Sequence, residues 1–369
     1  MSAIKVSVDY GAITRNVEVL RDTAGSAKVM AVVKADAYGH GLLPAARAAR
    51  AGGADYLGVA QPSEAIALRD GGDEGPILTW LYGPEVPAIE LIRRGVDLSA
   101  GSPEVLGEII GAARDNDACA RLHICVDTGL GREGVPLSQL GALLDLVVAA
   151  QRQGLIDVVG MWSHLAWADR PGHPTIDAQA AMFREALALA SERDVDIKLA
   201  HLANSACTLT RTDLHFDMVR PGIAVYGLPP VEDSSGARFG LRPAMSVTSS
   251  LALVKEVPAG HGVSYGHEYV TPFPTSLGLV AAGYADGVFR SAGGVAEVSV
   301  RGRRYPIAGR VCMDQFVIDL GPVTEAIAGD EVTLIGPDGP STRDWADAAG
   351  TIDYEIVCRF GALRPKAAL

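Results

Sequence analysis

At residues 29–41 the chain reads VMAVVKADAYGHG. The unbroken apolar run 29–33 is typical of a short strand in a sheet that is covered on both faces. Lys34 follows at the end of this strand, where apolar surroundings disfavour a charged ammonium group. Because a partly neutral amine attacks carbonyl groups, Lys34 is either a Schiff-base lysine or an ordinary strand-end lysine that reaches into water.

The composition indicates a globular protein of more than one domain. The chain has 369 residues, of which 48% are hydrophobic and 21% charged. Its net charge of −12 argues against nucleic acid or an anionic membrane as the main partner. The sequence contains no run of about 18 apolar residues, and its first residues lack the apolar core of a signal peptide. The five scattered cysteines form no C-x-x-C pair, which favours the reducing cytoplasm and argues against a disulfide framework or a zinc site.

Short apolar runs alternate with amphipathic segments as far as residue 230. Eight of these runs are predicted to be strands: 29–33, 56–60, 77–80, 96–99, 122–126, 158–162, 197–200 and 216–219. Helical patterns lie between them, for example at 102–114, 137–152 and 176–193. Eight strand–helix units predict an N-terminal (β/α)8 barrel of the TIM type. A doubly wound open sheet is the alternative, although it rarely contains eight such even units.

The pattern changes after residue 227. A loop rich in proline, serine and glycine (228–240) is followed by strand-like runs with one short helical segment at 341–350; the runs are 245–254, 277–282, 296–300, 315–320 and 331–335. This pattern predicts a mostly β C-terminal domain, and we divide the chain into residues 1–238 and 239–369. One further strand, at 4–8, precedes the barrel pattern, so residues 1–10 are candidates to pair with the second domain.

Five charged or titratable side chains follow the predicted barrel strands: Lys34, Arg132, His164, His201 and Arg220. Each alone has an ordinary explanation, but the carboxyl ends of barrel strands meet at one rim, where catalytic groups of such barrels lie. Ser205 and Gly222 follow the last two strands, where barrels often bind phosphate through backbone N–H groups. His164, Asp169 and His173 are an alternative metal site, but their spacing matches no established motif, so we predict no metal.

Five motifs resemble those of the alanine racemase family. They are AVVKADAYGHG at 31–41, VDTGLGR at 126–132, VRPGI at 219–223, VSYG at 263–266 and GRVCMDQ at 309–315. The first is long and specific, and the resemblance extends from about residue 4 to about residue 360. It implies a barrel that binds pyridoxal 5'-phosphate (PLP), a C-terminal β domain, and a homodimer in which the partner's second domain completes each active site. It also implies alanine as the substrate, a cytoplasmic location, and a role either in the supply of D-alanine for peptidoglycan or in alanine catabolism.

The resemblance implies two catalytic bases. Lys34 would hold PLP as an aldimine and, once released, would act at the substrate Cα, while Tyr265 of the other subunit would act on the opposite face. Racemisation needs a proton to leave one face and arrive on the other, so two opposed bases are a direct solution. His164, backed by Arg220 and His201, would favour the phenolate of Tyr265. Arg220 would also hydrogen-bond the pyridine nitrogen and, as a permanent cation, leave it unprotonated.

The remaining implied roles concern binding. The phosphate would be bound by Tyr38, Ser205, Gly222, Ile223 and Tyr354, and the substrate carboxylate by Arg132 and Met313, with Asp314 in support. The entry corridor would be lined by Asp169, Tyr284, Arg290, Arg310 and Ile352. One position departs from the family: many members carry a carbamylated lysine where this chain has Cys125. A neutral thiol cannot supply that negative charge, so either another acid or a bound anion orients Arg132, or Arg132 is held more loosely.

Other functions stay open on the sequence alone. A racemase of broader range, acting on serine or lysine, would share these motifs, since an apolar pocket rejects an added hydroxyl only weakly. A non-catalytic PLP-binding barrel protein would share the lysine strand but consist of a single domain. A PLP decarboxylase would place a nucleophilic cysteine and acidic residues near a basic side chain, an arrangement that this sequence does not show.

Overall fold

The computed structural model of the protein describes residues 4–231 and 236–362. These residues form two compact units. The first holds the described residues of Tyr10–Ala37 and Gly41–Pro243, and the second holds those of Met1–Asp9, Tyr38–His40 and Ala244–Leu369. No helix in the described ranges is long and apolar enough to cross a membrane.

The first unit is built on eight parallel strands: β2 (Lys28–Val32), β3 (Tyr56–Val59), β4 (Ile77–Thr79), β5 (Asp97–Ala100), β6 (Ala120–Asp127), β8 (Ile156–Trp162), β9 (Leu199–His201) and β10 (Met218–Val219). A short strand, β7 (Val135–Pro136), pairs with β6. The sheet order is β10-β2-β3-β4-β5-β6-β8-β9. The backbone N–H of Asp217 donates to the carbonyl of Ala200 at 3.0 Å across the remaining gap between β9 and β10. The sheet is thus a nearly closed barrel, which confirms the predicted (β/α)8 architecture over the open sheet.

Helix α1 (Tyr10–Ala24) precedes the first barrel strand. The helices between the barrel strands are α2 (Lys34–Tyr38), α3 (Leu42–Ala51), α4 (Pro62–Asp70), α5 (Ala88–Arg93), α6 (Pro103–Asp115), α7 (Leu137–Arg152), α8 (Pro174–Ser191) and α9 (Ser205–Thr210). The predicted start of α6 is present, because the Ser102 side chain accepts a hydrogen bond from the N–H of Val105 at 3.3 Å. Along α7 the buried positions recur at helical spacing, and the apolar face of that helix is buried.

The core of the barrel is mainly apolar. One buried cluster contains residues from six strands: Met30, Tyr56, Leu78, Val159, Leu199 and Met218. Besides Thr79, three polar side chains on its strands are nevertheless fully buried: Asp97, His123 and His201. Buried polar groups are costly unless hydrogen bonds satisfy them, so these three residues need partners within the barrel.

The second unit is mainly antiparallel. Its strands are β1 (Lys5–Val8), β11 (Met245–Val257), β12 (Gly262–Val263), β13 (Tyr269–Val270), β14 (Thr275–Val280), β15 (Glu297–Val300), β16 (Arg303–Pro306), β17 (Phe316–Gly321) and β18 (Glu331–Ile335). The main sheet has the order β16-β15-β18-β11-β14-β17, with β1 paired to β11 in the register Lys5 to Thr248. Two helices follow, α10 (Thr342–Ala349) and α11 (Asp353–Gly361). The mostly β architecture is confirmed, whereas β12, β13, β16 and α11 were not predicted.

Candidate active site

Lys34 begins a turn of unusual handedness. The next four residues, Ala35, Asp36, Ala37 and Tyr38, all have positive φ angles, between 52° and 56°. Left-handed backbone costs a residue with a side chain roughly 1–2 kcal/mol, so four in succession persist only where surrounding contacts fix them. The lysine therefore sits at the start of a strained segment and not on a flexible loop.

Hydrogen bonds hold this left-handed turn in place. The Glu64 carboxylate accepts from the N–H of Ala35 at 2.5 Å and from the N–H of Gln61 at 2.9 Å, so it also caps α4. The Asp36 carboxylate accepts from the N–H of Leu42 at 2.7 Å at the start of α3. The two helices after β2 and β3 thereby fix the direction in which the chain leaves β2. Glu64 was not predicted from the sequence, because nothing in the local pattern connects residue 64 with the turn after Lys34.

Arg220 is a buried cation that contacts two histidines. Its Nη1 and Nη2 atoms donate to the carbonyl oxygens of His201 and Ser163, each at 2.7 Å, and lie 3.3 Å from Nδ1 of His201 and 3.5 Å from Nδ1 of His164. The guanidinium also lies 5.0 Å from the ring centre of Trp162. Burial lowers the pKa of Arg220 to about 10, so it is still protonated at neutral pH. Its Nε–H has no hydrogen-bond partner within residues 4–231 and 236–362.

His164 lies among three cations. Burial lowers its pKa well below the usual value, and the charges of Arg220, Arg132 and Lys34 lower it further. The imidazole is therefore neutral at physiological pH and can accept a proton or a hydrogen bond. The sequence placed these four residues on one rim, and the structure brings them into electrostatic contact.

Arg132 stands on a loop that one carboxylate organises. Oδ1 of Asp127 accepts from three successive N–H groups, those of Gly129, Leu130 and Gly131, at 2.9 to 3.1 Å. Gly131 has a φ of 70°, which glycine adopts without strain. Aspartate followed by a glycine-rich turn is therefore the local reason why the guanidinium of Arg132 is presented at the end of β6.

Glu133 is the acid that pairs with Arg132. Its carboxylate binds Nε of Arg132 and accepts from Nη2 at 2.7 Å. Cys125 lies buried nearby, and burial, followed by the charge of Glu133, raises the pKa of its thiol. The thiol of Cys125 is thus neutral. Of the possibilities that the sequence left open for Arg132, the structure shows the first, because another acid, Glu133, pairs with it.

Ser205, Gly222 and Ile223 come together after β9 and β10. Oγ of Ser205 accepts from the N–H groups of Gly222 at 2.8 Å and Ala224 at 3.3 Å. Asn204 caps α9 by accepting from the N–H of Cys207 at 3.1 Å. Three of the five predicted phosphate-binding residues, Ser205, Gly222 and Ile223, are thus buried together, and two backbone N–H groups donate to the serine hydroxyl.

In the second unit, Tyr265 is held by its backbone while its ring is largely exposed. It starts a 3-10 turn, Tyr265–His267, and 70% of its surface is accessible. The Ser264 hydroxyl donates to the carbonyl of Arg310 at 2.7 Å, and a side chain on Gly309 would lie 2.8 Å from the carbonyl of Val263. Two of the matching motifs, at 263–266 and 309–315, are therefore packed against each other.

The other predicted residues of the second unit form two groups. Met313, which is 54% exposed, accepts a backbone hydrogen bond from Ala285 at 2.9 Å, and the neighbouring Asp314 is also exposed. The rings of Tyr38 and Tyr354 lie 6.0 Å apart. Of the proposed metal ligands, His173 instead stacks on Trp167 at 4.3 Å, and the described residues contain no group of three or more potential ligands placed to hold a metal ion.

Comparisons with known proteins agree along the whole chain. Residues 8–230 match the family model of the alanine racemase N-terminal domain, and residues 244–367 match that of the C-terminal domain. An alanine racemase of Beutenbergia cavernae is 53% identical over 97% of this chain and 96% of its own length. One from Salinispora tropica is 51% identical over 98% and 96%. The crystal structure of the alanine racemase from Streptomyces lavendulae superposes with a TM-score of 0.95 at 48% identity, covering 98% of this chain and 95% of that one. The chain belongs to the alanine racemase family.

Proposed function

We propose that this protein is an isomerase that interconverts L-alanine and D-alanine with bound PLP. The observation that carries the proposal is the fixed position of Lys34, at the start of a strained turn and within electrostatic reach of His164. Relatives that are about half identical over nearly their whole length and are named alanine racemase support the same reaction.

The residues present fit PLP. A phosphate needs several N–H and O–H donors. The hydroxyl of Ser205, which accepts from the N–H groups of Gly222 and Ala224, keeps its own proton to donate, and the backbone at Gly222 and Ile223 would complete this side of the phosphate site. Tyr38 and Tyr354, whose rings lie 6.0 Å apart, would add two phenol donors. A pyridine nitrogen needs one further donor. The Nε–H of Arg220 makes no hydrogen bond to any residue that the structure describes, so it could donate to that nitrogen. When bound, PLP would draw electrons away from the substrate Cα and so acidify its proton.

Two residues would move that proton. The amine of Lys34 would take it from, or return it to, one face of the substrate, and the phenol of Tyr265 from the partner subunit would do so on the other. His164 is neutral and can accept a proton, so it is suited to assist the phenolate of Tyr265. Arg220 remains a cation and would keep the pyridine nitrogen unprotonated.

Arg132 would orient the substrate. Its Nε and one proton of Nη2 are taken by Glu133, which leaves the edge formed by Nη1 and Nη2 for a second carboxylate. The backbone at Met313, with Asp314 in support, would provide the remaining contacts to the substrate carboxylate. His201 would act behind Arg220 through their hydrogen bond.

We also propose a homodimer with shared active sites. Tyr265 and Met313 are large side chains that the single chain leaves exposed, and burial against a partner would remove both from water. All five cysteines are free, which is consistent with a location in the reducing cytoplasm. There the enzyme would supply D-alanine for peptidoglycan.

The test is a chiral assay. PLP-loaded protein incubated with L-alanine is expected to yield equal amounts of both enantiomers. A protein that binds PLP but forms no D-alanine would overturn the proposal. Comparing kcat/KM for alanine, serine and lysine decides the range of substrates. Alanine is expected to be best, with measurable serine turnover because an apolar pocket excludes a hydroxyl by only about a hundredfold.

A further inference from the structure

A chain of buried side chains connects Arg220 to an aspartate inside the barrel. Nδ1 of His201 lies 3.3 Å from Nη1 of Arg220, Nε2 of His201 lies 2.9 Å from Nδ1 of His123, and Nε2 of His123 lies 3.2 Å from Oδ2 of Asp97. His201, His123 and Asp97 are completely buried, and Arg220 is 6% exposed. The site described above uses only the first two members, Arg220 and His201.

The direction of these hydrogen bonds is determined at both ends. Hydrogen bonds from His123 and Arg121 outweigh the opposing effect of burial and hold the pKa of Asp97 below its usual value, so this carboxylate can only accept. Arg220 can only donate. His201 must therefore accept at Nδ1 and donate at Nε2, and His123 must accept at Nδ1 and donate at Nε2 to Asp97.

We propose that Asp97 is a positioning residue for Arg220. Asp97 acts through His123 and His201, because it fixes the tautomer of both imidazoles. If His123 carried its proton on Nδ1, His201 would have to accept at Nε2 and donate at Nδ1. Two donors would then face each other at Arg220, and the guanidinium would move away. The proposal deepens the proposed function, since Arg220 matters here as the partner of the PLP pyridine nitrogen.

The substitution Asp97→Asn would reverse the direction of the hydrogen bonds from Asp97 to Arg220 with almost no change in side-chain volume. Arg121 donates through Nε to Oδ1 of Asp97 at 2.6 Å, and Oδ2 accepts longer bonds from Nη2 of Arg121 at 3.2 Å and from the hydroxyl of Tyr56 at 3.3 Å. Because the bond to Oδ1 is the shortest, an asparagine would keep its oxygen there and turn its amide toward His123, at the loss of the longer bond from Arg121. A donor would then face Nε2 of His123, and both histidines would have to change tautomer. Asp73→Asn is the matched control, because Asp73 is a largely buried carboxylate that pairs with Arg50 and Arg69 and is hydrogen-bonded to no member of the series from Arg220 to Asp97.

The first measurement is 15N NMR of the histidine-labelled holoenzyme, with signals assigned by single substitutions among its eight histidines. In the unsubstituted protein, His123 and His201 are expected to be protonated on Nε2 alone. A proton on Nδ1 of either residue would overturn the proposal. This measurement needs no racemase turnover, so it separates a failure of the proposed role of Asp97 from a failure of the proposed reaction.

The second measurement compares the folded variants. Asp97→Asn is expected to move the proton of His201 to Nδ1, to shift the visible absorbance maximum of bound PLP, and to lower kcat about tenfold or more with less than a twofold change in KM. Asp73→Asn is expected to change none of these. An Asp97→Asn protein with normal PLP content, the original tautomers and the original absorbance maximum would show that Asp97 is only part of the barrel core.

Discussion

Glu133 and Arg132, neighbours in the chain, form a two-point ion pair in which the carboxylate binds Nε and Nη2 of the guanidinium. The pair leaves the opposite edge of Arg132 available and limits the number of positions that its long side chain can adopt. A fixed guanidinium binds a carboxylate at a smaller entropic cost than a mobile one.

Glu133→Gln is therefore expected to raise the KM for alanine about two- to fivefold with a smaller effect on kcat, because a half-exposed ion pair contributes roughly 0.2–1 kcal/mol. Steady-state kinetics in both directions would measure this. Glu18→Gln removes an exposed partner of Arg15 far along the chain and is the control. A KM that falls would show that Glu133 competes with the substrate, and an unchanged KM would show that Glu133 does not position Arg132.

The sequence predicted the barrel well because most strands are short, mainly apolar runs bounded by polar turns. All eight runs from 29–33 to 216–219 correspond to β2–β6 and β8–β10 to within about three residues at each end. Strands β12 and β13 contain only two residues each, which is too short for any period to appear. Helix α11 begins without a side-chain cap at Ile352, so the usual start signal is missing.

The arrangement of the residues within the site was harder to predict than which residues belong to it. Strand-end positions indicated the rim that Lys34 and Arg220 share, since strand direction alone determines it. The Asp97 chain joins residues on different strands, and the sequence shows each only as a polar residue inside an apolar run. The left-handed turn contains alanines, not glycines, so tertiary contacts override the local preference there.

Lys34→Ala is expected to abolish the visible absorbance of covalently bound PLP and to lower activity at least about a thousandfold, because it removes both the attachment point and one base. Spectra and chiral assays would measure both effects. Lys28→Ala changes the lysine at the other end of β2, where it pairs loosely with Asp55, and should leave both readings unchanged. Absorbance that survives in Lys34→Ala would mean that another lysine holds the cofactor.

Tyr265→Phe is expected to slow removal of the Cα proton from L-alanine by about a hundredfold or more, the usual contribution of a general base, and to affect D-alanine far less. Exchange of the Cα proton in deuterated water, followed separately for each enantiomer, measures the two faces. Tyr269→Phe removes a nearby phenol that donates to Asp319 and serves as the control. Equal losses for both enantiomers would contradict the assignment of Tyr265 to one face.

Mixing two inactive variants tests the shared site. If Tyr265 acts in the partner's site, a heterodimer of Lys34→Ala and Tyr265→Ala chains contains one site with both bases intact. Refolded or exchanged at equal amounts, the mixture should regain about a quarter of the normal activity, since half of the dimers are mixed and each has one working site of two. Activity that stays at the level of the separate variants would place Lys34 and Tyr265 of the same chain in one site.

The backbone strain in the turn after Lys34 can be measured by replacing alanine with glycine at two positions, one inside the turn and one inside a regular helix. Ala35 is exposed with a φ of 54°, so Ala35→Gly removes a steric cost and should stabilise the first unit by about 0.5–1 kcal/mol after the extra entropy of the unfolded chain is subtracted. Ala178 is an exposed residue within α8, where Ala178→Gly should destabilise the same unit by about 1 kcal/mol. Thermal unfolding of both variants should thus move the midpoint in opposite directions. If both midpoints fall together, the segment after Lys34 is not left-handed in the folded protein, and the fixed position proposed for the amine has lost its structural basis.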